Sequence, residues 1–160
     1  MWKAFKHLFQ TAATYRALSP DVKIRRKVNR WLCDRTPMTL DRWASGLRET
    51  WGISMAVATF AYTHLEKYSG LPVSRLRPGD RLDDDLQWTL VCWFDWELCL
   101  CEDFCHRFGI DFSEQLDQFT PQTIADVLVF LETQVNCQLG QRRSPNSLTD
   151  SYGDDSDPLP

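Results

Sequence analysis

An all-α helical bundle is predicted for this chain, and three observations predict it. Apolar residues recur at three- and four-residue steps through most of the length. Helix-start and helix-stop residues bracket those stretches. No segment reads as a strand, and no internal repeat is visible. The 160 residues are 43% hydrophobic and 12% aromatic, with seven Trp, a composition that excludes a disordered chain and supports a sizeable core. No apolar run approaches about 18 residues, so no transmembrane helix is expected.

Residues 2–17 place Trp2, Phe5, Leu8, Phe9, Ala12 and Ala13 at helical spacing. The first twenty residues hold no acid and carry Lys3, Lys6 and Arg16, which suits a basic amphipathic helix or a transit-like leader. Ser19-Pro20-Asp21 starts a helix over about 20–34, with Ile24, Val28, Trp31 and Leu32 on one face. Its basic face is Lys23, Arg25, Arg26, Lys27 and Arg30. Thr36-Pro37 starts a third segment with Leu40, Trp43, Ala44 and Leu47, closed near Gly52.

Residues 53–68 carry Ile53, Val57, Phe60, Ala61, Leu65 and Tyr68, and Ser69-Gly70 stops that helix. Residues 71–85 read as an ordered loop with a turn at Pro78-Gly79. A long helix is expected over 87–108. Val91, Phe94, Leu98, Cys101, Cys105 and Phe108 form one stripe, and Trp93, Trp96, Leu100 and Phe104 a second. Together they span roughly 220° at 100° per residue, so this helix is expected at the centre of the fold. Asp111, with Glu114 three residues on, caps a short helix. Thr120-Pro121 opens the last helix, about 121–137, with Ile124, Val127, Leu128, Leu131 and Val135 facing inward.

The net charge of −4 is a cancellation. Residues 1–50 sum to +7, residues 51–140 to −9 and residues 141–160 to −2. The expected organisation is a basic helical N-terminal extension over 1–52 that packs on the core, a four-helix domain over 53–139 and a polar, disordered tail over 140–160. The basic front and acidic body either face each other or serve separate partners.

Tyr68-Ser69-Gly70, Leu76, Asp80-Arg81-Leu82 and Asp84-Asp85-Leu86 precede the long helix, which closes on Phe108-Gly109-Ile110-Asp111, with Phe119-Thr120 before the last helix. In this order of motifs residues 53–137 resemble an acyl-carrier-protein-like domain of an uncharacterised acyl-carrier-like family. The resemblance implies a four-helix scaffold whose second helix is a docking face for basic partner surfaces. It also implies a serine bearing phosphopantetheine at the start of that helix. No serine lies between Leu86 and Phe108, and Thr89 is the only hydroxyl there. A carrier-like scaffold without its prosthetic arm is therefore expected, with no cofactor and no catalytic residue.

Cys33, Cys92, Cys99, Cys101, Cys105 and Cys137 are expected as free thiols in a reducing cytoplasm, since no secretory signal precedes them. A metal half-site at Cys101 and Cys105, completed by Cys33 or Cys137, competes with the reading of buried cysteine as a small hydrophobe, which is preferred. One helix does not bring Cys99 and His106 to the same metal. Glu97 projects into the apolar arc and should be a buried charge paired with a loop arginine, Arg75, Arg77 or Arg81.

Asp80, Asp83, Asp84, Asp85, Asp95, Glu102 and Asp103 form the candidate docking edge. The leading functional expectation is a non-enzymatic interaction module. It would dock these acids on a protein partner with a basic surface, while exposed Trp or Phe provide the hold. A second reading is a peripheral protein held on an anionic membrane surface by residues 1–30. A third is a metal- or thiol-dependent protein using the cysteine cluster. Nucleic acid is disfavoured, because no recognition motif is visible and the acidic body repels phosphates. Nothing in the sequence fixes an oligomeric state.

Overall fold

The computed structural model describes residues 19–142, and its regular elements there are helical. The helix expected over 2–17 and the tail beyond residue 142 lie outside the described residues. Helix α1 is Val22–Cys33, α2 Leu40–Trp51 and α3 Met55–Ser69. A one-turn helix α4, Trp88–Val91, is followed by α5, Trp96–Phe108, and α6, Ile124–Arg142. Short 3-10 turns occupy Val73–Arg75 and Ser113–Gln118.

Local chemistry sets most of these ends. Asp21 caps α1 by accepting the Lys23 and Ile24 amides at 2.8 and 3.1 Å. At the other end Arg75 Nη1 donates to the carbonyls of Leu32, Cys33 and Arg35 at 3.3, 2.5 and 2.6 Å, a cation on the negative end of the helix. Thr39, not Thr36, caps α2, because the Met38 amide is held by the Ser74 carbonyl at 2.7 Å and the chain stays out of helix until then. Ser54 caps α3, and its own amide and hydroxyl donate to Glu132 on α6 at 2.9 and 2.8 Å.

The last helix begins later and runs further than its sequence pattern suggests. Thr123 and Asp126 form a reciprocal cap. The Asp126 amide donates to Thr123 Oγ1 at 3.2 Å, and the Thr123 amide to Asp126 Oδ2 at 2.8 Å. The helix passes through Gly140 to Arg142, although its apolar stripe has ended. The Asp111 carboxylate accepts the Ser113 amide at 2.8 Å, but the short helix that follows is 3-10, its cap position is Phe112 with no side-chain cap bond, and the expected capping box of Asp111 with Glu114 is not formed.

Two expectations are corrected. The first concerns the long helix over 87–108, which is broken across Cys92–Asp95. An uninterrupted helix would give the carbonyls of Leu90 and Val91 to the amides of Phe94 and Asp95. Instead α1 takes both. The Asp21 amide donates to Leu90 O at 2.8 Å, and the Arg25 guanidinium donates to Val91 O at 3.2 and 2.5 Å. Cys92 turns extended and buried, and Trp88 and Trp96 meet edge to face at 5.8 Å. The second concerns the centre of the fold, which is α3 and not the segment 87–108. Helix α3 packs against α2, α5, α6 and the first 3-10 turn. Its small Ala58 and Ala61, both fully buried, let neighbours approach closely.

One hydrophobic core joins every helix. It runs from Val28 and Leu32 of α1 through Trp43 and Leu47 of α2 to Leu128 and Leu131 of α6. The basic helix α1 and the charge-balanced α2 thus share their core with residues 53–139. The loop before α4 is tied to the start of α6 by backbone bonds, Leu82 N to Gln122 O at 2.9 Å, Ile124 N to Asp80 O at 3.1 Å and Ala125 N to Pro78 O at 2.8 Å. Gly70 ends α3 at φ 67°, with the Arg25 side chain 3.0 Å from where a Cβ would sit. A side chain there would be strained by the left-handed φ and would crowd the Arg25 side chain.

Candidate docking face

The candidate acids divide into those the fold consumes and those it leaves outside. Leu82 and Leu86 are buried and anchor the loop between them, so Asp83, Asp84 and Asp85 project into solvent. Asp85 accepts the Arg81 amide at 2.8 Å, and Asp84 pairs with the Arg81 guanidinium at 2.9 Å, both side chains of that pair being largely exposed. Such a pair is worth little and yields readily to a competing cation. Asp83 accepts from Thr89 Oγ1 at 3.3 Å. Glu102 is exposed and Asp95, at the cap position of α5, is half-buried.

Asp80 and Asp103 do not belong to that outer set. Asp80 is only 5% exposed. Its Oδ2 accepts from Arg35 Nη1 and from the Arg77 amide, each at 2.7 Å. This is an ion pair between the basic front and the acidic body, and it locks the connection after α1 onto the loop. Asp103 accepts from Lys67 Nζ at 2.7 Å and from the Tyr68 hydroxyl at 2.6 Å, clasping α5 to α3. Burial opposes the charge of Asp103, but the bonds from Lys67 and Tyr68 outweigh it and hold the carboxyl below its ordinary range. Burial first, then the neighbouring Asp103 carboxylate, pushes the Tyr68 hydroxyl well above the ordinary tyrosine range.

The expected pairing of Glu97 with a loop arginine is not formed. Arg75 caps α1, Arg77 Nη2 donates to Thr36 O at 2.7 Å, and Arg81 is exposed beside Asp84. Arg81 is therefore not a buried charge, and Arg77 is half-buried. Glu97 is half-buried as well, and burial raises its carboxyl above the usual range. The buried face of α5 is Trp96, Leu100, Cys101 and Phe104, and Glu97 sits at the margin of that face.

The same division sorts the apolar residues. Trp96, Leu100, Cys101 and Phe104 turn inward. Phe94 and Leu98, assigned inward by their spacing, are both 55% exposed. Leu90 and Trp93 are each 44% exposed. Among the described residues ten large hydrophobic side chains remain exposed, and these four fall within the single stretch 90–98. Isolated exposed apolar residues are ordinary, whereas a concentration of them rimmed by charge marks an interaction surface. Here Asp83, Asp84 and Asp85 precede the stretch in sequence, Glu102 follows it, and Asp95 lies within it. Sequence spacing alone missed Leu90, Phe94 and Leu98. The signal available was an apolar arc too wide for one helix to bury, interrupted by Asp95 inside Trp93-Phe94-Asp95-Trp96.

The basic face of α1 is mostly solvated. Lys23, Arg26, Lys27 and Arg30 are exposed, while Arg25 is turned inward onto Val91. Trp31 is exposed too, with the Arg35 guanidinium 4.2 Å from its ring centroid. A groove of about 450 Å³ lined by Lys27, Trp31, Asp84, Asp85 and Gln87 separates this face from the acidic loop.

The six cysteines are unbridged, with Cys92 and Cys101 buried, Cys99 and Cys105 half-buried, and Cys33 and Cys137 exposed. Among the described residues no three His, Cys, Asp or Glu side chains come together as metal ligands, and no helix is long and apolar enough to cross a membrane. Comparison of the chain with protein-family models, with curated proteins and with solved structures finds no match.

Proposed function

We propose that this chain is a non-enzymatic interaction module that docks a basic, amphipathic protein segment on the face formed by residues 83–102. The observation that carries this is the concentration of Leu90, Phe94 and Leu98 at the α4–α5 break, between the exposed acids Asp83, Asp84 and Asp85 and the exposed Glu102 in sequence. Apolar side chains at the middle of such a face supply the hold, and the acids steer a basic partner and fix its register. The resemblance of residues 53–137 to acyl-carrier-like domains supports the same reading, since that family receives partners on its second helix. With no serine between Leu86 and Phe108, recognition would proceed without an attached arm. The six unbridged thiols support a cytoplasmic location.

The test is titration of the full chain with a fluorescent, lysine- and leucine-containing amphipathic helical peptide. Phe94→Glu and Leu98→Glu together should weaken binding by at least about tenfold, the loss expected from removing interface anchors. Asp84→Lys with Glu102→Lys should slow association and reduce its salt dependence. Undiminished affinity in both variants refutes the proposal. Binding of anionic vesicles in place of the peptide, abolished by reversing Lys23, Arg26, Lys27 and Arg30, would favour the membrane reading instead.

A further inference from the structure

We infer that the groove between α1 and the acidic loop is a self-association site, where a second copy of this chain docks about a two-fold axis. The inference does not rest on the docking face proposed above. Lys27 stands on one wall of the groove and Asp84 and Asp85 on the other, and Ile24 and Trp31 add apolar lining to a space of about 450 Å³. The walls do not close on each other. Asp84 pairs with Arg81 on its own loop, and Lys23, Arg26, Lys27 and Arg30 enter no ion pair among the described residues. Each wall is fixed in place. Helix α1 is held by the bonds of Asp21 to Leu90 and of Arg25 to Val91, and the loop by buried Leu82 and Leu86. The Gln87 side-chain amide also donates to the Asp83 carbonyl at 2.9 Å.

Charge complementarity names the occupant. A surface with a positive wall beside a negative one is complementary to itself under a two-fold axis. With the axis running along the groove, α1 of one copy meets the acidic loop of its partner. The reciprocal contact forms at the same time, so every charge pair occurs twice. A partner of one sign satisfies one wall and is repelled by the other, whereas a second copy brings both signs in the required order. Trp31 is exposed and lines the groove, with the Arg35 guanidinium 4.2 Å from its ring centroid. Burying that aromatic supplies the hold that exposed ion pairs lack.

Sedimentation equilibrium of the full chain from ~10 μM to ~1 mM tests the groove. The native chain should pass from monomer to dimer, and added salt should weaken the association. Lys27→Glu and Asp84→Lys each place like charges opposite one another twice in the dimer. Each alone should weaken association at least about tenfold. An equimolar mixture of the two variants should regain it, because both reciprocal contacts become complementary again. Restoration in the mixture, with unchanged urea midpoints, excludes misfolding as the cause of the single losses. Trp31→Ala should weaken association with the charges intact. Phe94→Glu/Leu98→Glu, which touches neither wall, should dimerise as the native chain does. A native chain still monomeric at ~1 mM overturns the inference and leaves the docking face standing. Variants that fail to associate in the mixture overturn the pairing across the groove. Species larger than a dimer overturn the two-fold arrangement, and loss of dimer in Phe94→Glu/Leu98→Glu overturns the groove as the site.

Discussion

Arg25 donates from both Nε and Nη2 to the carbonyl of Val91, at 3.2 and 2.5 Å, across sixty-six residues of sequence. That carbonyl would otherwise extend α4 toward α5. A basic helix thus decides where an apolar one stops, and by stopping it decides which of its side chains remain outside.

Removing the Arg25 fork should destabilise the fold and let α4 lengthen. Arg25→Met keeps the unbranched aliphatic stem and loses the charged hydrogen bonds, a cost of about 1.5–3 kcal/mol. Arg25→Lys should recover less than half, since an ammonium does not reproduce a planar two-pronged donor. Urea midpoints at constant slope measure both, and backbone amide exchange at Phe94 and Asp95 reports on the break. Native exchange at those amides in Arg25→Met would place the cause of the break elsewhere.

The Arg35–Asp80 pair gives a prediction that separates stability from recognition. Asp80 is buried and also holds the Arg77 amide, so Asp80→Ala strands Arg35 and a backbone donor together. A cost of about 2–4 kcal/mol is expected, somewhat below that of a fully buried pair because Arg35 keeps some solvent contact. Asp84→Ala, at an exposed pair, should change stability by no more than about 0.5 kcal/mol. Thermal unfolding of the two variants checks the contrast, and similar losses would contradict the division of the acids made from their burial.

Much of this fold is legible in the sequence because it is written locally. Gly52, Gly70 and Gly109 mark real helix ends, and the inward stripes of α2, α3 and α6 follow their spacing. What is not legible depends on contacts between distant segments. Nothing near Val91 in sequence says that Arg25 will occupy its carbonyl, so the unbroken reading of 87–108 assigned Phe94 and Leu98 inward. The same applies to the acids. Asp80 and Asp84 look alike in the loop, and only the arrival of Arg35 withdraws the first from the surface. Glu97 shows the reverse, because the arginines expected to meet it are taken up by the carbonyls of Cys33, Arg35 and Thr36 and by Asp84.

The Tyr68–Asp103 clasp should shape stability at both extremes of pH. Asp103 is held below the ordinary carboxylate range, so its contribution is full at neutral pH and is lost as acid passes below about pH 4. Tyr68 is held above the ordinary tyrosine range, so its contribution is full below about pH 10 and is lost as the pH rises further. Tyr68→Phe should cost about 1–2 kcal/mol at pH 7 and flatten the alkaline limb of the stability curve. Its acid limb should weaken too, because Asp103 keeps Lys67 alone. Unfolding followed from pH 3 to 11 tests this, and an alkaline limb unaltered by Tyr68→Phe would refute the assignment to Tyr68.

Glu97 should act in the opposite sense. Burial raises its carboxyl in the fold, and no hydrogen bond or ion pair to the described residues compensates it. A group whose folded value lies above its unfolded one stabilises the fold only while it is protonated. Glu97 therefore opposes folding above the ordinary glutamate range, about pH 4.3, and ceases to do so below it. Glu97→Gln should raise the urea midpoint at pH 7 and leave it unchanged at pH 3.5, because the amide matches the protonated acid in shape and charge. The gain should not alter peptide binding through Phe94 and Leu98, since the substitution removes no apolar surface. An equal gain at both pH values would show that the benefit comes from the amide's packing, and no gain at pH 7 would show that the carboxylate is fully solvated.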